Sequence, residues 1–95
     1  MLFEPSHTPP LRMAKSNRLA AAIKVAERLD GLPANELVAA FLAATLGEVR
    51  ISGDRFEARA YGIRATSVRN RTQAVRNWIL AVTHEAAAAS ISEVA

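Results

Sequence analysis

Between Arg64 and Asn77 the chain reads RATSVRNRTQAVRN. Arginines at 64, 69, 71 and 76 alternate with Asn70, Gln73 and Asn77, and no acid occurs from 58 to 84. A guanidinium is a flat fork of donors that matches a phosphate or a guanine edge. A side-chain amide offers a donor and an acceptor to adenine. The chemistry these types can do together is hydrogen bonding to a polyanion and to base edges.

They do not assemble catalytic chemistry. Thr66, Ser67 and Glu57 have no base spaced to serve a nucleophile, and helix capping accounts for them. The chain lacks a glycine-rich phosphate loop and contains no cysteine. His7 and His84 lie far apart in sequence, without the spacing of a metal cluster. An enzyme, a metal centre and a cofactor are therefore not expected.

The charge is concentrated. Residues 50–76 hold seven arginines (50, 55, 59, 64, 69, 71, 76) against Asp54 and Glu57, a balance of +5. The remainder holds five bases against seven acids, a balance of −2. Ten of the twelve bases are arginine, the better ligand for phosphates and guanine. The bland alternative is a solvated helix surface.

Length fixes the scale of the elements that must carry these residues. Ninety-five residues make one small domain, with a core kept thin by alanine and only five aromatic residues. No segment approaches a membrane span or a signal-peptide core. A cytoplasmic protein is expected.

Helical periodicity dominates. Residues 1–10 hold three prolines and read as an irregular arm, and 11–95 as a single helical domain. Leu19, Ala22, Ile23, Ala26 and Leu29 make one stripe, ended at Asp30-Gly31. Pro33 opens a second helix running to Gly47, with Leu37, Phe41 and Ala44 inward and Leu42 a further candidate for that stripe. The segment EVRIS, 48–52, reads as a short strand or an extended linker. Asp54 and Glu57 resemble a capping box, so a short helix is expected from Asp54 to Tyr61, ended by Gly62. A long last helix starts near Thr66, with Val68, Thr72, Val75, Ile79, Val82 and Ala86 on one face. Trp78 borders that stripe. The predicted fold class is all-α, a small domain of about four helices with a long C-terminal one.

A short helix, a glycine turn and a second helix with a basic-amide face compose a helix-turn-helix at about 54–78. Ala58 is the small residue where the helices approach, and Gly62 the residue at positive φ. Ile63 and Val68 plug the angle between them.

The stretch GIRATSVRNRTQAVRNWI resembles the recognition segment of LuxR/GerE-type domains and of sigma factor region 4. Those families show Gly-Ile, three variable residues, a small polar residue, Val, then Lys or Arg. Gly62-Ile63, Ser67, Val68 and Arg69 fill that pattern, and Arg71 extends it. Upstream, Leu32-Pro33 and Glu36 are similar to the opening of the scaffold helix. The resemblance covers about 32–80. Glu57 departs from it, standing where the families place isoleucine.

The resulting expectation is a sequence-selective double-stranded DNA-binding protein, a small transcriptional regulator. Its contact residues would be Arg55, Arg59, Arg64, Thr66, Ser67, Arg69, Asn70, Gln73, Arg76 and Asn77. Of these, Arg69, Asn70, Gln73 and Arg76 would read bases. A homodimer or higher homo-oligomer is expected, because one short recognition helix gives little specificity. The N-terminal helix is a candidate surface for another regulatory protein. Two other roles use the same residues: a helical adaptor presenting arginines to an acidic partner, and a phage-like DNA-packaging or recombination accessory.

Overall fold

A computed structural model describes the backbone of residues 15–94 and the side chains of residues 17–89. The predicted arm at 1–10 lies outside the described residues. Chain order is α1 (Lys15–Leu29), α2 (Ala34–Ala44), β1 (Glu48–Ser52), β2 (Arg55–Ala60), β3 (Ile63–Ser67) and α3 (Arg71–Val94). The strands form one antiparallel meander, β1-β2-β3. The fold is thus mixed α and β rather than all-α, with three helices among the described residues rather than four. A hairpin stands where the helix-turn-helix was expected.

The helix expected over 54–61 is overturned by turn chemistry on both sides. Ser52 pairs with Arg55 and Ala60 with Ile63, so each hairpin has a two-residue loop. Gly53 lies at φ 66°, and Tyr61 and Gly62 lie at φ 54° and 77°. Positive φ at both Tyr61 and Gly62 is the type I′ pattern and positive φ at Gly53 before Asp54 the type II′ one, and the twist of both matches that of paired strands. Gly62 does sit in the left-handed region, but inside a hairpin. Between the loops, Phe56, Ala58 and Ala60 alternate with Arg55, Glu57 and Arg59, a period of two that the alanines conceal.

The last helix also starts later than Thr66. Asn70 caps it: its Oδ1 accepts the Gln73 N–H at 2.7 Å and its carbonyl accepts the Ala74 N–H at 3.1 Å. Val68 precedes the helix and is 65% exposed, so it leaves the predicted stripe. Val75, Ile79 and Val82 keep their inward positions.

All three helices lie over the inner face of the sheet or on one another, with α3 packed between the strands and the other two helices. Trp78 is fully buried rather than bordering the core. Its ring meets Phe41 edge-on at 5.0 Å and 72°, and its indole N–H donates to the Ala60 carbonyl at 3.3 Å. One side chain thereby ties α2, α3 and β2 together. Ala22, Val25, Ala26 and Leu29 of α1 and Leu37 of α2 complete the core.

The passage from α2 into β1 is tightly built. Thr45 Oγ1 donates back to the Phe41 carbonyl at 2.9 Å and accepts the Gly47 N–H at 3.0 Å. A Cβ on Gly47 would run into the Arg59 carbonyl, so the chain can pass β2 only as glycine.

Candidate nucleic-acid interface

In an antiparallel sheet, residues directly opposite one another share a face. The register therefore sets Glu48, Arg59 and Arg64 in one row of the outer face. Arg50, Glu57 and Thr66 form the next row, and Ser52 and Arg55 the last. Four arginines and two glutamates give this face a net charge of 4 − 2 = +2. All four arginines are exposed.

Two of the arginines have acids nearby. Arg50 Nη2 lies 3.8 Å from Glu57 Oε1 and its Nε 3.9 Å from Glu48 Oε2. Arg55 Nε lies 3.9 Å from Asp54 Oδ1. Among the described residues, Arg59 and Arg64 have no carboxylate within ion-pair distance, yet they stand directly opposite each other. Like charges so placed repel, and an anion between them would reverse the sign of the interaction.

Glu57 is unusual here. It is 3% exposed, and its Oε2 has no hydrogen-bond partner among the described residues. An acid at the centre of a basic face limits the positive field to the flanking rows.

The expected recognition helix is placed differently. Asn77 Nδ2 donates to the Thr66 carbonyl at 2.8 Å, and Gln73 Nε2 donates to Asn77 Oδ1 at 3.0 Å. Asn70 caps α3, Gln73 braces Asn77 within the helix, and Asn77 carries the bond from α3 to β3. Thr72 Oγ1 reaches the Ala34 carbonyl at 3.5 Å, and Arg71 lies 5.7 Å from the centre of the Phe56 ring. Ser67 Oγ accepts the Arg69 N–H at 3.0 Å, which shapes the loop before α3. Arg76 is half-buried on α3.

The sheet therefore brings together Arg55, Arg59, Arg64 and Thr66 of the expected contact residues. It adds Arg50 and Glu57, which the helical reading left out. Arg69 and Asn70 lie in the connection to α3, and Gln73, Arg76 and Asn77 lie on the helix itself. The signal for Arg50 was present in the sequence: Glu48, Arg50 and Ser52 alternate with Val49 and Ile51.

No group of three or more His, Asp or Glu side chains suited to a metal ion occurs among the described residues. No described helix is long and apolar enough to cross a membrane. The chain matches no protein-family model, no curated protein and no solved structure.

Proposed function

We propose that the protein binds double-stranded DNA through the outer face of its sheet, as a small cytoplasmic regulator. The observation that carries the reading is the Arg59–Arg64 pair, two arginines directly opposite each other with no carboxylate within ion-pair distance among the described residues. A three-stranded sheet is broader than the two-stranded ribbon a B-form major groove admits, so this face would meet the duplex mainly at its phosphates. Arg50 and Arg55 would flank the pair, and their exposed forks can reach phosphates.

A second reading has its own observation. Glu48, Asp54 and Glu57 interrupt the arginines, a mixed surface that also suits an acidic protein partner. Equilibrium binding to a mixed-sequence duplex separates the two. The DNA reading expects affinity that falls steeply between about 50 and 200 mM salt, as phosphate contacts release counterions. Arg59→Ala and Arg64→Ala should each lower the log–log salt slope by about 1. Gln73→Ala, which removes only a side-chain bond to Asn77 within α3, should leave that slope unchanged. No duplex binding at low salt would remove the DNA reading and leave the acidic-partner one.

A further inference from the structure

The two edges of the sheet are finished differently. On β3 the two-residue loop makes Ala60–Ile63 a hydrogen-bonded pair, so the backbone groups of Arg64 and Thr66 point outward. The outward Thr66 carbonyl is taken by the Asn77 amide. On β1 the Ser52–Arg55 pair flanks the other loop, so by the same alternation Val49 and Ile51 turn their N–H and C=O groups to the free edge. Among the described residues no hydrogen bond reaches that edge.

Exposed apolar residues gather in the same part of the chain. Of the five exposed large apolar side chains among the described residues, Leu42 lies in the last turn of α2, Leu46 in the connection to β1 and Ile51 on β1 itself. Ile51 is 58% exposed although it points to the inner face, beside Phe56 on the neighbouring strand.

From these observations we infer that the β1 edge pairs antiparallel with β1 of a second copy, with the two-fold axis at Val49. The charge order of the strand selects that register. An axis at Glu48 or Arg50 sets two like charges opposite each other, and an axis at Ile51 sets Arg50 against Ser52. An axis at Val49 sets Glu48 against the second copy's arginine and Arg50 against its glutamate, so each charge meets its opposite. Val49 then meets its own copy in a hydrogen-bonded pair, using the backbone groups that point outward. The axis runs perpendicular to the sheet, so both arginine faces lie on the same side of a continuous six-stranded sheet. The pairing itself needs no DNA, so its test is independent of the proposed function.

The chain has no cysteine, so one introduced thiol reports the register without ambiguity. Val49→Cys, under mild oxidation, should form a disulfide-linked dimer, because opposed strand positions lie within disulfide reach. Ser52→Cys should not, since its copy lies away from the axis. In sedimentation the unmodified protein should show twice the chain mass. Arg50→Glu should weaken association by about tenfold or more, through two new like-charge pairs. Adding Glu48→Arg to Arg50→Glu should restore the dimer, with circular dichroism confirming that both variants fold. A monomeric parent protein overturns the inference. So does a dimer whose Val49→Cys variant links no faster than Ser52→Cys, or a reversal that restores nothing.

Discussion

On the inner face of the sheet, Ala58, Ala60 and Ala65 are buried beneath α3, whereas on the outer face Arg55, Arg59 and Arg64 stand in solvent at alternate positions of the same strands. The inner residues are small enough for the Trp78 indole to reach the Ala60 carbonyl. The outer residues are long, charged and, for Arg59 and Arg64, mutually repelling. Strand geometry alone keeps these demands apart, because successive side chains point to opposite faces. Packing on one face can hold the backbone while the other face carries a charge pattern that folding does not require.

The largest test of that division is Trp78→Ala. It removes a fully buried aromatic, its edge-on contact with Phe41 and a buried hydrogen bond. A loss of about 3–5 kcal/mol is expected. That is a large part of the stability of a domain this small, so denaturant titration should show a partly unfolded protein in buffer. A loss under about 1 kcal/mol would mean that the inner face does not hold the fold.

Gly62→Val probes the loop that joins β2 to β3. Gly62 lies at φ 77°, which a β-branched residue tolerates poorly, and the expected loss is about 1–3 kcal/mol. The space around it is open, with only the Arg18 side chain near, so the effect isolates backbone strain. Unchanged thermal unfolding would exclude the left-handed turn.

The smallest effects belong to the outer face. Arg59→Ala and Arg64→Ala should each change stability by less than about 0.5 kcal/mol, with a slight gain allowed by relief of like-charge repulsion. Both are expected to reduce duplex affinity in the salt titration described above. Thermal denaturation beside that titration sharpens the contrast. A destabilisation comparable to that of Gly62→Val would show that the two faces are not independent.

Much of the helical frame is readable in sequence. Gly31 at the end of α1, Pro33 before α2 and the Val75, Ile79, Val82 spacing of α3 are local signals, each acting within one or two turns. The arginine excess over 50–76 and the positive φ at Gly62 are local as well. The candidate site was legible only as a composition, because its geometry is non-local.

Residues 54–61 show why. Alanine suits a helix and also fits a close-packed strand, and Asp54 with Glu57 imitates a helix start. What decides between them is pairing of this segment with strands on both sides, and two-residue loops that only make sense once those strands pair. Gln73 was chemically readable as a base reader and Asn77 as a DNA contact, and the tertiary structure engages both amides in hydrogen bonds, one of which spans eleven residues to β3. The sequence by itself determined the stop of α1 at Gly31, the inward positions of Val75, Ile79 and Val82 and the placement of charge along the chain, since those follow from neighbouring residues. Only the tertiary structure decided which arginines share a surface, because opposition across strands depends on register, and register is a property of the paired chain.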